Sequence, residues 1–263
     1  MDVGSPIDDN ASQVSSFSCS CLQIGKVVSS SIVQYEVRNR LLGMLPSDEF
    51  ARLQPELERC SFEQGVILES PETAITKVCF PEPGLISVMA RTPVGMQAEA
   101  GIIGPEGMTG LPLLHGIDSW PHVTIVQIPC RALCIDAEAF RAVLLECRPL
   151  HDRLLRYAQV FAVQLAQGSL CNGRFTIEQR LARWLLMCHD RTDREDLPLT
   201  HELLSMMLGV RRAGITTALR SLEEVGAVKT RRGGIGIRDR ARMRDIAGDA
   251  YGVPEAEYAR VLA

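Results

Sequence analysis

The chain has 263 residues, 46% hydrophobic and 23% charged, with a formal net charge of −4 at pH 7, the proportions of a globular protein long enough for one large or two ordinary domains. It holds no run of about 18 apolar residues, so neither a transmembrane helix nor a membrane partner is expected, and Asp2, Asp8 and Asp9 stand where a secretory signal would be basic and then apolar. A cytoplasmic location is expected, and nine cysteines, an odd number scattered along the chain, argue against a disulfide framework.

Residues 1–37 read as a flexible tail, since the first 31 contain nine serines and no helical periodicity. A short ordered piece is expected near Leu22-Gln23-Ile24. Cys19 and Cys21 in the tail read as unpaired thiols, because metal and cluster sites need more ligands at fixed spacings. Residues 38–147 read as a β-roll. Leu41, Leu42 and Leu45 precede Pro46-Ser47-Asp48-Glu49, a helix start, and Phe50, Leu53 and Leu57 follow at helical spacing. After Cys60 the texture becomes short β-type segments: 66–68, 77–80, 85–89, 98–103, 123–128 and 132–135. Their spacing predicts an antiparallel sandwich or barrel. Between two of them runs the Gly-rich stretch 104–112, whose Glu106, Gly107, Met108 and Thr109 form a candidate ligand-facing loop. His115 and His122 flank this loop as candidate metal or haem ligands, or as structural residues. Cys130 and Cys134 share one strand face, either as a redox pair or as small core residues.

Residues 148–170 read as a dimerisation helix. Leu154, Ala158, Phe161 and Leu165 step by four, three and four, and His151 and Cys147 extend the heptad backwards. Such an a/d seam packs best against a partner helix, the alternative being the domain's own core. Gly168 and Asn172-Gly173 are expected to break it. Residues 171–247 then read as a winged helix-turn-helix. Thr176-Ile177-Glu178-Gln179 starts a helix with Leu181, Trp184, Leu185 and Cys188 inside, and 193–196 is a charged loop. In the stretch 199–222, Thr200 caps a first helix carrying Leu203, Leu204 and Met207. Gly209 turns the chain, and a second helix buries Ile215, Leu219 and Leu222. Its other face shows Arg211, Arg212, Thr216, Thr217 and Arg220, which is the helix-turn-helix pattern, or else a helical hairpin with a solvated basic face. Residues 227–237 read as a hairpin turning through Arg231-Arg232-Gly233-Gly234, a wing with Lys229, Arg231 and Arg232 near its tip. Between Leu199 and Asp245 stand ten Lys/Arg against five Asp/Glu, a net +5 on a chain whose remainder is −9. Such a basic module is the footprint of a polyanion partner. Residues 248–263 read as a C-terminal tail. No Ser/His/Asp, Cys/His or paired-carboxylate constellation stands out, so no enzyme, metal or cofactor is expected.

Three stretches carry a resemblance: 178–186 (EQRLARWLL), Leu199-Thr200-His201-Glu202-Leu203-Leu204 with Leu208-Gly209-Val210-Arg211-Arg212, and the wing ending in Gly236-Ile237. With the loop 107–112 they are similar to the Crp/Fnr family of bacterial transcription regulators, over roughly residues 38–245. The resemblance implies an α+β fold: an antiparallel β-roll of the cyclic-nucleotide-binding type, a long dimerisation helix and a C-terminal winged helix-turn-helix. It implies a homodimeric regulator that reads a palindromic site in double-stranded DNA, with RNA polymerase a candidate partner. Arg212 falls where the family commonly reads guanine, whose O6 and N7 suit two arginine donors. Thr200, Arg211, Lys229, Arg231 and Arg232 are expected at phosphates. The chain departs from the family where cyclic-nucleotide binders place an arginine on the cyclic phosphate. Here residues 116–122 read GIDSWPH, without an arginine, and a buried phosphate lacking a cation is costly, so the effector is expected not to be cyclic AMP. The rivals are a thiol- or metal-based redox regulator and a ligand-binding β-roll that mediates protein contacts.

Overall fold

The computed structural model describes residues 32–262; Cys19, Cys21 and the piece expected near Leu22 lie outside them. Residues 32–37 do not continue a tail. Ile32 is buried in the core, Gln34–Glu36 make a 3₁₀ turn, and the Gln34 amide donates to Leu45 O at 2.7 Å. Asn39 caps helix α1 (Arg40–Gly43), accepting from Leu42 N, and α2 (Ser47–Leu53) follows. Pro55 sits in a 3₁₀ turn directly behind it, so Leu57 leaves the helix. The next residues form β1 (Glu58–Phe62), a strand that the helical spacing hid.

The remaining strands of the roll are β2 (Ile67–Glu69), β3 (Lys77–Pro81), β4 (Leu85–Arg91), β5 (Gln97–Ile103), β6 (Val123–Ile128) and β7 (Cys130–Asp136). They pair antiparallel in two sheets, ordered β1-β7-β3 and β2-β6-β4-β5. Residues 85–89 are all buried because both faces of β4 are covered. Ile86 and Val88 point into the roll's core, whereas Leu85 and Met89 join Ile102 and Ile128 in a second core with the C-terminal helices. An apolar run without polar alternation is what a strand covered on both faces requires.

Helix α3 (Ala137–Glu146) leads into α4 (Arg148–Arg174), which runs straight through Gly168 and past Asn172-Gly173. Glycine in a helix costs about 1 kcal/mol against alanine, and burial of Gln167 and Cys171 on either side of Gly168 offsets it. The expected seam is intramolecular: Leu154 and Phe161 are 0% and 4% exposed in the roll's core, with Ala158 and Leu165 packed at its edge. The open side of α4 carries half-buried Leu155, then exposed Gln159, Ala162, Ala166, Ser169 and Gly173, again stepping by four and three.

Helix α5 (Ile177–His189) opens on a capping box between Thr176 and Gln179. After it come β8 (Asp196–Leu197), α6 (His201–Leu208), α7 (Arg212–Glu224), β9 (Val228–Arg231), β10 (Gly234–Ile237) and α8 (Arg240–Ala247). The strands form a small sheet ordered β8-β10-β9. Residues 248–262 correct the expectation of a tail. A 3₁₀ turn (Gly248–Ala250) leads into α9 (Val253–Leu262), which lies along α4 and places Leu262 in the roll's core.

Candidate nucleic-acid interface

The interface is built from α6, the turn, α7 and the wing. The Thr200 hydroxyl accepts Leu203 N–H at the start of α6, and Gly209 ends that helix in the left-handed region at φ 62°, where a Cβ is strained. Arg180 reaches from α5 to donate to the carbonyl of Leu208, fixing the turn. On α7, Ile215, Ala218, Leu219 and Leu222 are buried and join the core with α5. Their burial rotates Arg211, Arg212, Ala213, Thr216, Thr217 and Arg220 to the exposed side. This periodicity is why an apolar back and a basic front coincide. Thr216 Oγ1 donates to Arg212 O at 3.1 Å and lies 3.1 Å from His201 Nδ1, which links the first turns of α6 and α7.

The wing is tied to α7 by Glu223, whose carboxylate accepts Thr230 N–H at 2.6 Å and Thr230 Oγ1–H at 2.7 Å. Those bonds hold its carboxyl below the usual range. The candidate residues are not equivalent. Arg231 is paired with Asp196 at 2.9 Å and Arg220 with Glu224 at 3.8 Å. Arg211, Arg212, Lys229 and Arg232 are exposed and, among the described residues, enter no ion pair. A free cation gains more from a phosphate than one that must first leave a carboxylate.

The candidate ligand-facing loop is placed differently from its reading in sequence. Met108 and Thr109 are 0% and 1% exposed, and Thr109 exchanges hydrogen bonds with the backbone of Cys79. Gly107 lies against Tyr157 of α4, whose hydroxyl a Cβ there would overlap, and its carbonyl accepts from Asn39 Nδ2 at 2.9 Å. Of the four, Glu106 faces a cavity of about 220 Å³ between α4, α9 and the end of α5. Its carboxylate is taken by Arg191 Nε at 2.7 Å, in an ion pair whose arginine and glutamate side chains are 7% and 12% exposed. At the other end of the loop, Gly110 N–H donates to Glu69 at 2.6 Å and Thr124 Oγ1–H at 2.5 Å. Burial pushes that carboxyl up, against the two hydrogen bonds.

Among the contacts that join the loop's domain to the C-terminal one, two are made by buried or half-buried carboxylates, and sequence reading missed both. Arg191 lies in the loop after α5, where nothing local distinguishes it from a solvated arginine. Glu99 of β5 accepts Ser87 Oγ–H at 2.6 Å and Trp184 Nε1–H of α5 at 2.5 Å. Burial lifts its carboxyl to about 7, with both hydrogen bonds opposing. At the helical end, Asp190 accepts from Arg240 and from Tyr251 Oη, each at 2.5 Å. Cys130 and Cys134 do share a face of β7, but the Cys134 sulfur lies 3.1 Å from that of Cys79 on the neighbouring strand. His151 Nε2 meets Leu114 O at 2.8 Å. Among the described residues no group of three His, Cys, Asp or Glu is placed to hold a metal ion, and no helix is long and apolar enough to cross a membrane.

Residues 179–246 match the Crp-like helix-turn-helix domain family. No curated protein sequence matches the chain. Among solved structures, FixK2 from Bradyrhizobium japonicum is similar at 15% identity and a TM-score of 0.63, over 73% of this chain and 98% of that one. A CRP-family transcriptional regulator from Thermus thermophilus is similar at 16% identity and a TM-score of 0.60, over 72% and 96%. The c-di-GMP-responsive regulator CLP from Xanthomonas campestris is similar at 13% identity and a TM-score of 0.59, over 74% and 100%. Identities this low speak for the fold, and the domain match for the C-terminal third. The chain thus carries a Crp-like helix-turn-helix domain on the fold of the Crp/Fnr regulators.

Proposed function

We propose that this chain is a sequence-specific, DNA-binding regulator of transcription of the Crp/Fnr type, acting without catalysis as a homodimer on a two-fold symmetric site. The observation that carries the reading is the pair Arg211-Arg212, exposed and, among the described residues, unpaired at the start of α7 in a Crp-like helix-turn-helix domain. The first turn of a recognition helix is the part that reaches base edges. Arg212 is assigned to a guanine and Arg211, Lys229, Arg232 and Thr200 to phosphates, with Thr216 and Thr217 beside the bases. Arg231 joins the phosphate set only by exchanging Asp196 for DNA. RNA polymerase is a candidate partner of the bound dimer. Two helices pairing about a two-fold axis present one surface to itself. The open side of α4, with Gln159, Ala162, Ala166 and Ser169 at heptad spacing, suits that use where the buried Leu154 seam does not.

The effector is proposed not to be cyclic AMP or GMP. Besides the missing arginine in 116–122, the Gly110 amide at the turn already serves the Glu69 carboxylate, and a second anion there would meet a carboxylate in a buried setting. Calorimetric titration of either cyclic nucleotide is expected to show no binding at micromolar concentration, and a micromolar Kd would refute this. The DNA reading is tested by selecting bound sequences from a random duplex pool with purified full-length protein. A symmetric motif is expected. No motif, together with salt-independent retention of duplex, would favour the rival in which the roll mediates protein contacts.

A further inference from the structure

Seven cysteines lie among the described residues and all are buried. Three of them converge because β7 runs between β1 and β3. Cys79 on β3 is directly opposite Cys134 on β7, and their sulfurs are 3.1 Å apart. Cys60 on β1 pairs with Ala132, one diagonal step from Cys134 on the same face. The Cys134 thiol is placed to donate to Cys60, which draws the Cys60 thiol below its ordinary range, with the Lys77 ammonium helping. Cys130 also points to this face, with its thiol pushed up to about 12 by burial, and the Cys134 thiol is pushed up too, first by its hydrogen bonds to Cys60 and Cys79 and then by burial, so geometry and not acidity decides which sulfurs pair.

Backbone geometry singles out the Cys79–Cys134 pair. The Cys79 N–H donates to Thr109 Oγ1, and the Cys79 carbonyl accepts from Thr109 N–H, both at 2.9 Å. Both backbone groups therefore turn away from β7, which defines a non-hydrogen-bonded antiparallel pair. Opposite Cα atoms in such pairs approach to about 4.5 Å, inside the roughly 4.4–6.8 Å that a disulfide spans. Pro81, two residues on and opposite Ala132, has no N–H to give to β7, as the same alternation requires. Cys60 and Cys134 are diagonal, and diagonal neighbours stand about 7–8 Å apart, beyond that span. Cysteine commonly fills cores as a small apolar residue. That role does not ask two thiols to face each other across a narrow pair.

We propose that Cys79 and Cys134 form a dithiol modification site in the sensor domain, which a peroxide oxidises to a cross-strand disulfide. One thiolate attacks a peroxide oxygen, the O–O bond breaks, and water leaves as a sulfenic acid forms. The second sulfur attacks the first, the S–O bond breaks, and its hydroxyl leaves with the second thiol's proton as water. Hydrogen peroxide thus takes two electrons from two thiols, giving one S–S bond and two waters. A regulatory consequence follows if the chain binds DNA as proposed above, and only that consequence rests on that reading. Thr109 is bonded to Cys79 through both backbone groups, and three residues away Glu106 holds Arg191 at the end of α5. Closing the disulfide pulls on this loop, and through it on the DNA-facing domain.

The test uses full-length protein, fully reduced, treated with hydrogen peroxide, alkylated and digested without reductant for mass spectrometry. A Cys79–Cys134 cross-linked peptide is expected, released by dithiothreitol, absent in Cys79→Ser and retained in Cys60→Ser. Recovery of Cys79 and Cys134 as free thiols while other cysteines oxidise would overturn the site, as would a Cys60–Cys134 cross-link in its place. Reduced and oxidised samples are then titrated onto a duplex taken from the selection. At least a tenfold difference in Kd is expected. Equal affinities of a cross-linked and a reduced sample would overturn the coupling and leave the dithiol standing. Failure of both samples to bind any duplex would overturn the DNA reading, not the disulfide.

Discussion

Arg212 and Arg232 are both exposed and, among the described residues, unpaired, yet they should behave differently because of where each is anchored. Arg212 stands on the first turn of α7, a rigid helix packed through Ile215 and Leu219, so its guanidinium can meet a base edge in a fixed register. Arg232 is at the tip of a two-residue turn between β9 and β10 and can follow a phosphate. Arg212→Ala is expected to cost about 1–3 kcal/mol at one base pair of the half-site and relax its identity. Arg232→Ala should weaken all sequences alike and lower the salt slope by about one. Quantitative binding to a panel of single-base site variants at two salt concentrations separates them, and the same profile for both would reject the assignment.

A second residue-scale consequence concerns Glu99. Its carboxyl lies near 7 where β5 meets α5, and an ordinary value is 4.5. The protonated form is therefore favoured by docking. The contribution is complete below about pH 4.5 and is lost as pH rises through 7. Fluorescence of Trp184, whose indole N–H donates to Glu99, should titrate with a midpoint near 7, and Glu99→Gln should flatten it. An unchanged midpoint in the variant would place the titration elsewhere. The basic face of α7 was legible in sequence because it follows helical spacing. Glu99, Glu69 and Arg191 were not, because their partners lie 85, 55 and 85 residues away and no local spacing marks them.

At the scale of elements, the strands of the roll and the helices of the C-terminal domain follow the hydrophobic periodicity closely. The failures have physical causes. Pro55 ended α2 a turn earlier than its leucines suggested, and tertiary burial carried α4 through glycines that would break an isolated helix. The heptad of α4 was legible but its direction was not. Two stripes of the helix both step by four and three, and α9, read as a tail, together with the roll leaves the small-residue stripe open. Ala166→Glu is therefore expected to convert a dimer to monomers while leaving the thermal midpoint of the monomer within a few degrees. Leu154→Glu should unfold the protein, since it puts a charge into a fully buried site. Light scattering with circular dichroism distinguishes the two, and a dimeric Ala166→Glu would move the interface off this face.

For the whole molecule, the β-roll and the helix-turn-helix domain are bridged by few buried polar contacts, and Glu106–Arg191 is the most enclosed of the ion pairs described. Removing one partner of a buried pair strands the other's charge, at a cost of about 3–5 kcal/mol. Arg191→Ala should lower the denaturant midpoint accordingly. Glu106→Met combined with Arg191→Met should recover most of that loss, because neither charge is then left alone. A double variant no more stable than the single would show that the pair does more than neutralise itself, the loop's conformation depending on the charges.

Helix α9 also has a bearing on how the chain acquires its structure during synthesis. Gln167 of α4 donates to the carbonyl of Ala250 across 83 residues, and Leu262 completes a core whose other buried members precede residue 162. Domains commonly fold from the N-terminus as they leave the ribosome. Here the roll must wait, with one flank of α4 bare, until the helix-turn-helix domain has been translated and has brought the last helix back. A ribosome stalled before residue 253 would hold out a β-roll with apolar surface exposed, the kind of nascent chain that chaperones retain.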